Sequence, residues 1–270
     1  MPTSDAILIL AAHGSSHPQA REALEGFAAR VRREHPGLDV RMVYTATPRP
    51  GNHPGATSNF GLADTLAGLA GLGHRGGLDL RVQSLHVIAG ADYDRMREAL
   101  EAFAVAAGAR LTMCAPLLAG PEDAPAAAKA LAAALPQDET CETSEAVVLM
   151  GHGTTHDAQD LYRVLAERLK IELPKARLGV LEAADPGDPL SIQAIARDLE
   201  SRGVRSARLV PLLTVAGRHA HKDLAGDRPG SWKSVLAERG ITGLPDLAGL
   251  LEREVFVRLW LERLRTLLSA

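Results

Sequence analysis

The chain has 270 residues, of which 46% are hydrophobic and only 3% aromatic, and its 30 Lys and Arg stand against 33 Asp and Glu for a net charge of −3. That size suffices for one large core or two small ones, and the even mixing of charge leaves no footprint for nucleic acid or an anionic membrane. Scarce aromatics exclude an extensive stacking platform, so a flat substrate has to be held mostly by other means.

Short apolar runs rich in β-branched residues alternate with stretches of helical period, which predicts βαβ order and parallel sheets. A strand over Ile7–Leu10 leads to a helix over Pro18–Arg33, a strand over Val40–Tyr44 and a helix near Leu62–Leu72. A strand near Leu80–Val87, a helix near Asp92–Ala107, a strand near Arg110–Leu117 and an Ala-rich helix from about Pro121 to Leu135 complete the first half. The polar stretch Pro136–Ser144 reads as a linker, dividing the chain into an N-terminal lobe, 1–137, and a C-terminal lobe, 145–270. The second half then sets strands at Val147–Met150, Leu178–Leu181 and Ala207–Leu213 around helices near Asp157–Leu169 and Pro189–Ser201. After a Gly/Pro-rich loop over 225–231, Val257, Leu261, Leu264 and Leu268 mark an amphipathic closing helix near 250–268, able to pack on the first lobe. No Lys or Arg precedes the first apolar run and no apolar segment reaches 18 residues, so a cytoplasmic protein outside the membrane is expected.

The halves also repeat a motif. The run from Ala6 ends in His13-Gly14-Ser15-Ser16-His17, and the run from Ala146 ends in His152-Gly153-Thr154-Thr155-His156. The segment Val82 to Asp92 likewise answers Val210 to His219, with an acid where its counterpart has histidine. Two matched pairs in one order predict an α/β fold of two similar lobes, each a parallel sheet flanked by helices, facing one another across a cleft about a pseudo-two-fold axis. Ligands of open parallel sheets lie beyond the C-terminal strand ends, where His13, Asp92, His152, Glu182 and His219 all fall.

His152, His219, Glu182 and Asp92 make a mixed nitrogen and oxygen set that suits borderline divalent ions and lacks the thiolates of a closed structural zinc site. None belongs to a compact metal motif, so each histidine has a structural reading beside the functional one. His152 reads equally as ligand or hydrogen-bonding strand end. His17 and His156 read as helix caps or solvated first-turn residues, His35, His53 and His74 as surface residues, His86 as a satisfied core histidine, and His221, beside Lys222, also as an anion contact. Ser15-Ser16 and Thr154-Thr155 read first as helix N-caps. Cys114 and Cys141 lack C-x-x-C spacing and read as structural, and no Gly-rich phosphate motif supports a nucleotide.

The segments Gln83 to Tyr93, Met150 to His156, Gly179 to Glu182, Pro211 to Ala220 and Gly230 to Lys233 resemble the class II chelatases, specifically the sirohydrochlorin cobaltochelatases of CbiK type, over nearly the whole chain. The resemblance implies two chelatase-like lobes holding the tetrapyrrole, with His152 and His219 as metal ligands and catalytic bases and Glu182 as a further ligand. Asp92 stands where such chains typically carry glutamate. His13 stands where they often carry an aromatic residue, although shorter relatives and sirohydrochlorin ferrochelatases place a functional histidine there. His13 and Asp92 are therefore additional metal-site candidates, and the segment Thr47 to Thr57 departs from the family's helical, basic segment.

Metal insertion removes two pyrrole protons, which imidazole, titrating near pH 6.5 when unperturbed, can accept. The eight carboxylates of sirohydrochlorin make Arg49, Arg95, Arg218 and Lys222 candidate substrate contacts. The expected activity is insertion of cobalt(II), with iron(II) as a competing substrate metal and no permanent cofactor, serving anaerobic cobalamin synthesis. Rival readings are a ferrochelatase, a non-catalytic metal carrier or solute binder, and a histidine phosphatase, whose usual Arg before the His is replaced by Ala12 and Gly151.

Overall fold

Two four-stranded, all-parallel sheets organise the chain in the computed structural model, which describes residues 6–46, 61–70, 77–135 and 145–270. The first is built from β1 (Ala6–Ala12), β2 (Asp39–Tyr44), β3 (Asp79–Ser84) and β4 (Arg110–Cys114) in the order β2-β1-β3-β4. The second uses β5 (Glu145–Gly151), β6 (Ala176–Val180), β7 (Ser206–Pro211) and β8 (Thr242–Pro245) in the equivalent order β6-β5-β7-β8. Central strands read as unbroken apolar runs because both sheet faces are covered: every β1 residue from Ile7 to Ala12 is buried.

In the first sheet, α1 (Pro18–Glu34) follows β1, α2 (Leu62–Ala70) follows β2 and α3 (Ala91–Ala107) follows β3. Ile7, Ile9, Ala11, Leu80 and Val82 pack one face against Met96 and Leu100 of α3. In the second, α5 (Gln159–Glu172), α6 (Ile192–Ser201) and α7 (Trp232–Ala237) follow β5, β6 and β7. Val148, Met150 and Leu209 share a core with Ile195 and Leu199 of α6 and with Trp232. Removing such side chains from water is worth roughly 1.5–3 kcal/mol each, which fixes the strand ends that carry the polar residues. Gly179 belongs to this packing, since a Cβ there would come within 2.6 Å of the Ile195 side chain and the Leu190 carbonyl.

The chain forms two compact units, residues 1–117 with 257–270 and residues 118–256. The Ala-rich helix α4 (Ala124–Ala134), grouped with the first half by sequence, packs on α5 and lies in the second unit. The closing helix α8 (Glu254–Ser269) serves the first sheet instead: Arg81 of β3 donates to the Leu267 carbonyl at 3.1 Å, and Arg110 of β4 to that of Ala270 at 2.8 Å. Of its expected stripe, Val257, Leu261 and Leu264 are buried and Leu268 is half-buried.

Several expected boundaries shift. The strands expected to reach Val87, Leu117 and Leu213 end at Ser84, Cys114 and Pro211. Both β8 and α7 escape sequence reading. Thr242–Pro245 is a short, largely exposed edge strand containing Gly and Pro, and Trp232–Ala237 is a six-residue helix capped by Ser231, whose Oγ accepts the Ser234 N–H at 3.2 Å. The linker 136–144, the segment from Thr47 to Thr57 with Arg49 and His53, and His74 and Cys141 lie outside the described residues.

Candidate functional site

In the second unit, three parallel strands deliver polar side chains to the same sheet edge. His152 directly follows β5, Glu182 lies two residues past β6, and His219 ends the loop after β7. The turn after β5 needs glycine. Gly153 has φ +84°, and a Cβ there would sit 3.0 Å from the Glu182 Cβ and 3.2 Å from its backbone nitrogen. This close approach lets the Glu182 N–H donate to the His152 carbonyl at 3.2 Å, locking the two strand ends together. Beneath them lies the fully buried Tyr162 ring, over Gly151, where a Cβ would meet it at 2.6 Å; burial raises its phenol to about 12.

The imidazoles of His152 and His219 meet edge to face, with centroids 4.9 Å apart and planes at 82°. Each has its Nδ1 committed. His152 Nδ1–H donates to the Gly153 carbonyl at 3.1 Å, and His219 Nδ1–H donates to Asp223 Oδ2 at 2.7 Å. A carbonyl or carboxylate can only accept, so in both neutral rings the lone pair falls on Nε2, the atom able to bind a metal or take a proton. Glu182 Oε1 stands 3.7 Å from His152 Nδ1. His152, His219 and Glu182 are thus linked pairwise through His152, with side chains 40%, 44% and 41% exposed. Among the described residues, no three His, Cys, Asp or Glu groups are clustered tightly enough to hold a metal as they lie. Arg218 and Lys222, on either side of His219, are exposed.

The first unit repeats this backbone. Ala46 N–H donates to the His13 carbonyl at 3.1 Å, as Glu182 N–H does to that of His152. Gly14 has φ +88° and lies under the Tyr44 ring as Gly153 lies under Val180 and Glu182. The strand register pairs Ala11 with Ser84 and Met150 with Pro211, which places Asp92 opposite His219 in the count. The side chains differ, however. Ala46 holds the place of Glu182, and Asp92 accepts from His13 Nδ1–H at 2.7 Å while also pairing with Arg95. That hydrogen bond, with the nearby Arg95 charge, holds the Asp92 carboxyl below its ordinary range. His13 and Asp92 therefore engage each other, and Arg95 is already engaged by Asp92.

His86, His156, Ser15 and Thr154 take structural roles. His86 is 8% exposed and bonded on both sides: Ser84 Oγ–H donates to its Nδ1 at 3.0 Å and its Nε2–H donates to Thr45 Oγ1 at 2.8 Å. Burial, reinforced by the neighbouring His13, lowers its pKa to about 4 and keeps it a neutral core residue, as expected. His156 Nδ1 accepts the Ala158 N–H at 3.1 Å, a capping role. Ser15 and Thr154, expected to cap helices, instead accept the N–H groups of His17 and His156 at 3.1 Å, folding the turn ahead of each helix. Sequence reading missed Asp223, though the i, i+4 spacing from His219 was its available signal, and missed Arg228, which pairs with Asp223 across the Gly/Pro-rich loop.

Residues 5–269 match the family model described as cobalt chelatase (CbiK). The chain is 36% identical over its whole length to the sirohydrochlorin cobaltochelatase CbiKC of Nitratidesulfovibrio vulgaris, covering 93% of that protein. It is 31% identical to the sirohydrochlorin cobaltochelatase of Salmonella typhimurium, over 76% of this chain and 74% of that one. A crystal structure of the sirohydrochlorin chelatase SirB from Bacillus subtilis subspecies spizizenii, in complex with cobalt, shares the fold with a TM-score of 0.59 at 15% identity, covering 98% of this chain and 95% of the other.

Proposed function

This chain belongs to the cobalt chelatase (CbiK) family, and on that footing we propose that it inserts cobalt(II) into sirohydrochlorin in the cytoplasm, as a step of anaerobic cobalamin synthesis. The observation that carries the residue assignment is the pair of imidazoles 4.9 Å apart, each donating through Nδ1 so that the lone pair lies on Nε2, beside the Glu182 carboxylate. His152, His219 and Glu182 then supply two nitrogens and an oxygen to an octahedral or tetrahedral ion, with positions open for transfer. Rotation of the half-exposed His152 and Glu182 side chains toward His219 encloses the metal substrate. As nitrogen–metal bonds to the macrocycle form, the two pyrrole protons pass to imidazole Nε2 atoms released from the metal, so ligand and base are the same groups at successive moments. Exposed Arg218 and Lys222, on either side of His219, attract the substrate's carboxylates in this reading, and iron(II), which the same donors tolerate, is a secondary substrate.

Mixing the pure protein anaerobically with sirohydrochlorin and cobalt(II) tests this. The absorbance change of metallation should run well above the protein-free rate. A protein that binds cobalt tightly in calorimetry yet leaves that rate unchanged is a carrier, and the chelatase reading fails.

A further inference from the structure

We infer that Asp223 is a positioning residue that holds the His219 imidazole with Nε2 turned to the metal; this rests on His219 being a ligand and base as proposed above. The two candidate imidazoles are held differently. His152 leans on a neutral backbone carbonyl, whereas His219 donates Nδ1–H to a carboxylate at 2.7 Å, a bond that fixes the ring's tautomer and orientation and strengthens its electron donation to a metal.

The local backbone is shaped to make this contact. Residues Ala220–Leu224 form a π-helical turn, closed by the Ala225 N–H on the Ala220 carbonyl at 3.1 Å, which carries Asp223 around beneath His219. The Asp223 side chain is 19% exposed against 44% for His219, so the carboxylate lies deeper than the ring it supports. Its second oxygen is taken by the Arg228 guanidinium, leaving the carboxylate clamped from both ends. The return of the chain to bring Arg228 there depends on Gly226, where a Cβ would stand 2.4 Å from the Lys222 carbonyl oxygen. The Gly/Pro-rich loop thus serves Asp223. The same order of imidazole Nδ1, carboxylate and guanidinium recurs in His13, Asp92 and Arg95, where the acid comes from another element, so the arrangement is not a by-product of helical spacing alone.

The test is anaerobic calorimetry with cobalt(II) alone as the probe, on the full chain, for the wild type, D223A, D223N, H219A and the double variant H219A/D223A, alongside kcat and KM for sirohydrochlorin. D223A should weaken cobalt binding about 10- to 100-fold and lower kcat, with KM for sirohydrochlorin within about twofold of wild type. D223N, whose amide oxygen still accepts from Nδ1–H, should lose less than D223A, and it carries the test if D223A does not fold. Because Asp223 acts through His219, the double variant should bind cobalt no more weakly than H219A. Unchanged cobalt affinity in both D223A and D223N, or a double variant that adds the full D223A loss to that of H219A, overturns the inference while leaving the His219 assignment intact. Wild-type affinity and rate in H219A overturn that assignment itself, and the inference with it.

Discussion

The two units put different chemistry on one backbone. Around His13 and His152 the same carbonyls accept the same N–H groups, and the same left-handed glycines follow, yet Ala46 stands for Glu182 and Asp92 for His219. The first unit consequently has a single imidazole facing a carboxylate, while the second brings two imidazoles and a carboxylate together. A duplicated scaffold preserves where side chains start. What they can do is set by two or three positions.

The sharpest way to break this comparison is to remove the histidines one at a time. H152A and H219A should each lower the metallation rate by about 100-fold or more, as loss of a ligand and a proton acceptor predicts, and H13A by less than about 10-fold. Equal losses at His13 and His152 would show instead that both units take part in the reaction.

A second test uses acid. The unit difference extends behind the site, where His86 and Thr45 occupy the places of Leu213 and Leu181, whose backbone bonds they share. His86 is depressed to about 4, so its neutral form favours the fold: the stabilisation is whole above the unfolded value near 6.5 and drains away as pH falls toward 4. By pH 5 this amounts to about 2 kcal/mol, and urea titrations of wild type and H86L/T45L should show the loss only in the wild type. Identical pH slopes would sink the prediction.

The glycines sharpen the comparison further. G14A and G153A both force an alanine into a left-handed conformation and into a neighbour, at about 1–2 kcal/mol of stability each. Only G153A, which pushes on Glu182, should also slow metallation; a comparable rate loss in G14A argues against the asymmetry. The smallest effect should come from copying the second unit onto the first. In calorimetry A46E/D92H is expected to bind two cobalt ions where the wild type is expected to bind one, with the new site weaker, and a stoichiometry equal to that of the wild type would mean that backbone likeness does not suffice.

Much of the fold and of the site is legible in the sequence. The buried parallel strands show as apolar runs, and the repeat fixed His13 and His152 as equivalent because strand register carries both past the same sheet edge. The unequal counterparts Asp92 and His219 followed from the second matched pair. Other features were hidden for physical reasons. A π turn has no periodic signature in five residues, so Asp223 looked like any acid in a basic stretch. The edge strand β8 is too short and too exposed to alternate, and α4 gives no sign of which sheet it will cover, since an alanine-rich face fits closely against many partners.

The order in which the units close also has a consequence for synthesis. Residues 118–256 are continuous in sequence, whereas the first unit is finished only by 257–270, whose carbonyls receive Arg81 and Arg110. On the ribosome residues 6–117 therefore emerge well before the α8 carbonyls that receive these arginines, whereas residues 118–256 can close as a continuous unit before α8 is made. Loss of α8 would leave residues 118–256 able to close while Arg81 and Arg110 lose their carbonyl partners, a product for quality control to recognise by its incomplete first unit.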